Sequence, residues 1–235
     1  MLAWFGAAMH SGDGREARLD SLLATQPGDP APSKDALRRQ FRRCRSQALA
    51  ACTPGLRAVA RERLPALLPP GAWLGLYLPV GSEPDLDPWA PGGLGARLAL
   101  PAVLPPRHGE TQGQLIYLPW EPDTPLRPDA CGIPAPLPGE GRDPVLLPPA
   151  ALGLLLVPAL AVDRSGIRLG SGGGWYDRLR SDPAWRAVPA LAVLPSACVV
   201  ERLPRDPWDV PFHGWLDERG IHAVEGQAGA GRWAC

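Results

Sequence analysis

The run Leu154-Leu155-Leu156-Val157 constrains the fold most, because continuous apolarity over strand length calls for burial on both faces. A strand of that kind belongs inside a sheet covered on each side. Pro158 ends it, and Asp163 to Gly166 carries turn chemistry. Next comes Arg168-Leu169-Gly170-Ser171-Gly172-Gly173-Gly174-Trp175-Tyr176-Asp177-Arg178, with four glycines in five positions. Residues without a Cβ approach a bulky anion closely and reach φ > 0, so successive N–H groups can point at phosphate oxygens. A helix beginning near Gly174 adds its own unpaired N–H groups. Arg168 and Arg178 supply positive charge, and Asp177 suits a magnesium ion.

Strand, connection, glycine loop and short helix come in an order that departs from two common nucleotide motifs. No Lys-Ser/Thr follows the last glycine, as a Walker loop requires. The glycines do not follow the strand directly, as the dinucleotide fingerprint requires. A flexible linker rarely embeds a Trp-Tyr-Asp-Arg string.

Elsewhere the pattern predicts helices over 34–50 and 54–68. Ser33 caps the first, and Leu37, Phe41, Cys44 and Ala48 form its apolar stripe. Thr53 and Pro54 suit the cap and first position of the second. Lys34 and Arg38 stand four apart and share a face, whereas Arg39, Arg42, Arg43 and Arg45 read as a solvated basic face. Strands are expected near 73–78, 97–103, 114–118, 153–158, 189–194 and 221–224, and short helices near 174–181 and 212–219. The 31 prolines break the regions between strands into loops, above all 119–150. Helices alternating with apolar strands predict an α/β fold, its mixed or mostly parallel sheet carrying helices on both faces.

Composition excludes several function classes. A formal net charge of zero gives no reason to expect nucleic acid as a partner. Cys44, Cys52, Cys131, Cys198 and Cys235 form no Cys-x-x-Cys or zinc spacing. Together with the absence of a membrane-length apolar run or a convincing signal peptide, they predict a reduced, cytoplasmic protein. The sequence does not give the oligomeric state, and a monomer is favoured. Four scattered histidines make no metal box, and no Gly-x-Ser-x-Gly elbow supports a hydrolase triad.

The string from Val157 to Arg178 resembles the signature of the 5-formyltetrahydrofolate cyclo-ligase family, also called methenyltetrahydrofolate synthetases. Other segments fall into that family's order: Lys34 to Arg38, Trp73 to Glu83, Cys131 to Pro136, and Pro207 to Val210. The resemblance implies a single Rossmann-like domain over 34–225, with 1–33 a mobile extension and 226–235 a flexible tail. It implies ATP and magnesium as cofactors and a small-molecule folate as substrate. By the same likeness Arg168 and Tyr176 are catalytic. Lys34, Arg38 and the loop Arg168, Leu169, Gly170, Ser171, Gly172, Gly173, Gly174, Trp175 and Tyr176 bind the nucleotide. Leu78, Glu83 and Cys131 meet the folate, and Asp177 and Asp209 hold magnesium.

Some positions depart from the family pattern. Ser171 stands where arginine is common, and Trp175 replaces the first of two tyrosines. Ala135 stands where Glu or Gln is frequent, Cys131 where some relatives carry tryptophan, and His213 where an acid is found. These departures keep a second reading open, a folate- or nucleotide-binding relative without turnover.

Overall fold

Residues 32–88, 94–106, 108–109 and 111–226 are described by the computed structural model. Apart from residues 32, 33 and 226, the extension and tail expected at the two ends lie outside the described residues. The chain enters through helix α1 (Lys34–Leu67) and continues into strands β1 (Trp73–Gly75), β2 (Arg97–Leu104) and β3 (Gln114–Trp120). A ribbon of β4 (Arg127–Pro128) and β5 (Pro134–Ala135) interrupts the loop expected over 119–150. Then come β6 (Leu152–Pro158), β7 (Ala161–Asp163), β8 (Arg168–Leu169) and helices α2 (Trp175–Ser181) and α3 (Pro183–Ala187). β9 (Ala190–Val193), β10 (Val199–Val200), β11 (Gly214–Asp217) and β12 (Gly220–Ala223) complete the order.

β6 occupies the centre, as its apolar run requires. Seven strands form the main sheet in the order β12-β11-β9-β6-β1-β2-β3. The five inner strands pair in parallel, and antiparallel β3 and β12 close the two edges. Side chains alternate between faces along each strand. Leu155, Val157, Ala190 and Ala192 share one core cluster with Leu179 of α2, while Leu154, Leu156, Leu191 and Val193 share the other. Helices cover both faces, and the mixed sheet expected from the sequence is present.

α1 serves both clusters. Leu37 and Phe41 near its start join the first, and Leu56, Ala60 and Leu64 join the second. Ser33 caps it as expected, its hydroxyl accepting from Ala36 N at 3.3 Å. The break expected at Thr53-Pro54 does not occur. Pro54 lies inside one continuous helix of 34 residues, on an exposed face. There the Ala50 carbonyl, which loses its usual donor, can turn to water. Thr53 donates its hydroxyl to Leu49 O at 2.7 Å instead of capping a new helix. Burial of the 56–60–64 row outweighs the local helix-stop signal.

A second correction concerns 212–219. That segment is strand β11, all four of its residues buried, pairing in parallel with β9 and antiparallel with β12. Its Trp-Leu pair divides between the two faces, Trp215 to one cluster and Leu216 to the other. Arg45 is the third. It is 3% exposed rather than part of a solvated face, whereas Arg39, Arg42 and Arg43 are exposed. No helix among the described residues is long and apolar enough to cross a membrane.

His213 anchors the entry to β11. Its backbone N–H donates to Ala190 O at 3.0 Å, and its Nδ1 accepts from Ala190 N at 3.1 Å. Burial, with Arg180 nearby, lowers the imidazole pKa from 6.5 to about 4. A protonated ring cannot accept that hydrogen bond. The folded state thus holds its proton less tightly than the unfolded chain, and stability present above pH 6.5 is lost as pH falls towards 4. Urea unfolding at a series of pH values is expected to show this loss, and His213→Asn, which keeps an acceptor, to flatten that part of the curve.

Candidate active site

The chain leaves β1 for β2 on one side and later returns to place β6 on the other side. Ligands of open α/β sheets bind at the carboxyl ends of strands where the order switches in this way. A cavity of about 610 Å³ lies there. Tyr77, Leu78, Val80 and Glu83 enter it from the segment after β1, and Pro158 from the end of β6. The loop from Arg168 to Arg178 forms another wall, and Lys34 and Arg38 reach it from the first turns of α1.

Local structure explains how the glycine loop is held. Asp163 at the end of β7 is 1% exposed. Its Oδ1 accepts from Ser165 N, Ser165 Oγ and Ile167 N at 2.9, 2.7 and 3.0 Å. Its Oδ2 accepts from Leu203 N at 2.9 Å. This carboxylate folds the turn that returns the chain through β8 beside β7 and delivers Arg168 to the cavity. Beyond Arg168, Gly172 takes φ 116 and Gly174 φ 64, a hand of backbone that side chains rarely adopt. Gly174 then caps α2.

Arg168 is held on several sides. Its side chain is 6% exposed, Nη1 donates to Pro158 O at 3.0 Å, and Nη2 stands 3.8 Å from Asp177 Oδ2. The guanidinium lies 5.3 Å from the Tyr176 ring centre and 5.5 Å from that of Phe212. Its Nε is buried without a hydrogen-bond partner among the described residues. Arg38 donates Nε to Gly170 O at 3.2 Å and pairs with Asp35 at 2.5 Å. Lys34 Nζ reaches Asp206 Oδ2 at 2.7 Å and Asp209 Oδ2 at 2.6 Å. Burial pulls the Lys34 ammonium pKa down, but the two carboxylates together push it above its ordinary value. Burial raises the Tyr176 phenol to about 12, so it enters the site as an O–H donor. Glu83 accepts from Val80 N at 3.0 Å, and burial raises its carboxyl pKa.

Nearly every residue singled out in the sequence lines this cavity: Lys34, Arg38, Leu78, Glu83, Arg168 to Asp177, and Asp209. Cys131 does not. It sits on an exposed turn, its N–H donating to Asp129 Oδ1 at 2.8 Å, and Ile133 and Pro134 supply the wall instead. Asp206 and Trp208 also line the cavity without having been foreseen. The Asp-x-x-Asp spacing of 206 and 209 was the available signal. No group of three or more His, Cys, Asp or Glu among the described residues is placed to hold a metal ion. Magnesium often takes only one or two carboxylates and completes its shell with phosphate oxygens and water; Asp177 and Asp209 are among the carboxylates that line the cavity, Asp209 already engaged by Lys34.

The sequence pattern of the 5-formyltetrahydrofolate cyclo-ligase family matches residues 31–216. The chain belongs to that family. It is accordingly an enzyme of the ligase class. The chain is 34% identical over 215 residues to the 5-formyltetrahydrofolate cyclo-ligase of Mycolicibacterium smegmatis, covering 82% of this chain and 97% of that one. The Escherichia coli K12 cyclo-ligase is 33% identical over 118 residues, covering 50% of this chain and 61% of its own length. Among solved structures, the 5,10-methenyltetrahydrofolate synthetase of Aquifex aeolicus superposes with a TM-score of 0.59 at 29% identity. That match covers 83% of this chain and 94% of the other. The Mycoplasma pneumoniae synthetase shares the fold, with a TM-score of 0.56 at 19% identity over 80% of this chain and 99% of its own.

The Asp163 turn gives a test of how the loop is positioned. Asp163→Ala strands two buried N–H donors, those of Ile167 and Leu203, and is expected to cost about 3 kcal/mol in chemical denaturation. Asp163→Asn, which keeps one acceptor oxygen, should recover part of that loss.

Proposed function

We propose that this protein converts 5-formyltetrahydrofolate to 5,10-methenyltetrahydrofolate, with ATP consumed, ADP and phosphate released, and magnesium required. The observation that carries this reading is the convergence of four cations, a glycine loop and a half-buried carboxylate on one cavity at the strand-order switch. Membership of the cyclo-ligase family supports it.

The chemistry asks for these residue types. An amide-like formyl oxygen is a poor leaving group, and ATP supplies the phosphoryl group that turns it into a good one. N10 of the folate then closes the five-membered ring as phosphate departs. In such a transfer a protein contributes chiefly alignment and charge neutralisation. Lys34, Arg38 and Arg168 neutralise phosphate charge, and Gly170 to Gly174 bring backbone N–H groups close to it. The protonated Tyr176 phenol donates a hydrogen bond that positions the reacting groups. Glu83 with Leu78 binds the folate. Asp177 and Asp209 hold magnesium, and Asp206 shares Lys34 with Asp209.

The purified protein with 5-formyltetrahydrofolate, magnesium and ATP should develop methenyltetrahydrofolate absorbance, and only when ATP is present. Folded protein that binds folate yet forms no product would instead favour a binder without turnover, and would direct attention to Ser171. Arg168→Ala is expected to lower kcat/KM by roughly a hundredfold or more, as loss of a preorganised charge donor does. Arg43→Ala, on the exposed face of α1, should stay within about twofold. Equal effects in the two variants would remove the phosphate role from Arg168.

A further inference from the structure

Arg45 is a buried cation that the proposed mechanism leaves unused. It continues the 37–41–45 row of α1, whose other members, Leu37 and Phe41, are core residues. An apolar side chain would suit that row, since a buried charge carries a desolvation cost that a well-packed apolar residue avoids. The guanidinium is nevertheless retained, and its contacts show what it joins. Nε donates to Ser82 Oγ at 3.2 Å, in the turn after β1, and Nη1 donates to Ala159 O at 3.0 Å, just past the end of β6. These two segments form opposite lips of the crevice where the strand order switches. Neither Arg45 nor its two partners lines the cavity, but Glu83 and Pro158, the neighbours of those partners in sequence, both do.

We infer that Arg45 is a positioning residue for the folate subsite, clamping the Glu83 turn to the exit of β6. The inference rests on the reading of Glu83 as a folate contact. Charge and geometry agree on it. The charged or titratable groups that act on Glu83 are Arg45 from α1, Arg168 from β8, Tyr77 from the segment after β1 and Tyr176 from α2. Burial raises the Glu83 pKa, and the Val80 N–H and then the two arginines, Arg45 ahead of Arg168, oppose that rise. Arg168 is committed to Pro158 and stands beside Asp177, so Arg45 is the cation tied to the Glu83 turn itself. Arginine suits the task because its planar fork reaches two acceptors on separate segments with fixed geometry, which a lysine ammonium does less well.

The test compares Arg45→Met, Arg45→Lys and Glu83→Gln in the full chain. Thermal unfolding, KM for 5-formyltetrahydrofolate, KM for ATP and the pH profile of kcat/KM would be measured for each. Arg45→Met is expected to raise folate KM roughly tenfold, the scale of one charge-assisted hydrogen bond, with ATP KM within about twofold. Its acid limb should move to higher pH, because removing a cation disfavours the ionised carboxylate. Arg45→Lys keeps the charge, so it should hold the limb near its original position while folate KM stays elevated. Glu83→Gln should raise folate KM and erase the limb. A well-folded Arg45→Met with unchanged folate KM, or one that raises both KM values equally, overturns the inference while leaving the Glu83 assignment standing. Should Arg45→Met not fold, the same readings on Arg45→Lys decide, and an unchanged folate KM there overturns it. An unchanged folate KM in Glu83→Gln overturns the subsite reading itself, and the inference with it.

Discussion

The two-sided burial of β6 is the constraint on which everything else depends. Leu154, Leu155, Leu156 and Val157 are each 0% exposed, so structure has to cover both faces of the sheet around them. That requirement places β1 and β9 beside β6, sends the start of α1 to one face and its second half to the other, and brings α2 back over the first. Side chains of this size contribute about 1.5–3 kcal/mol each on burial, enough to override weaker local signals. Pro54 is an instance: its break in the helix hydrogen bonding faces solvent, while the Leu56, Ala60 and Leu64 row is held by the core.

The same arrangement creates the site. A parallel sheet whose strand order reverses beside β1 leaves a crevice at the carboxyl ends of β1 and β6, and the glycine loop is delivered into it by the Asp163 turn. Each of the three cations assigned to phosphate already stands beside a carboxylate: Lys34 by Asp206 and Asp209, Arg38 by Asp35, Arg168 by Asp177. Such pairing holds long side chains in place and lessens like-charge repulsion among them. An incoming polyanion would compete with those carboxylates for the same cations.

Much of this was legible in the chain. The buried strand, the glycine loop, the Ser33 cap and the pairing of Lys34 with Arg38 on one helix face all follow from local pattern, because each is specified by neighbours within a few residues. The misses share a cause. β11 was read as a helix because four residues around Trp215 carry little periodicity, and its strand character comes from pairing with β9 and β12. Arg45 was read as one more member of a basic run, although its place in the 37–41–45 row was a usable signal. Cys131, expected at the folate, lies on a turn organised by the Asp129 carboxylate, and from that turn Ile133 and Pro134 line the cavity.

The sequence by itself determined the fold class and the residues that carry charge to the cavity, since hydrophobic period and glycine spacing are local properties, and the likeness of its 157–178 string to a known signature gave the family. Tertiary structure alone decided that Asp206 joins Asp209 on Lys34, that Arg45 bridges the segments after β1 and β6, and that 214–217 is a strand. Those outcomes depend on contacts between residues as many as 175 positions apart, formed only when the sheet orders its strands and sets which side chains meet.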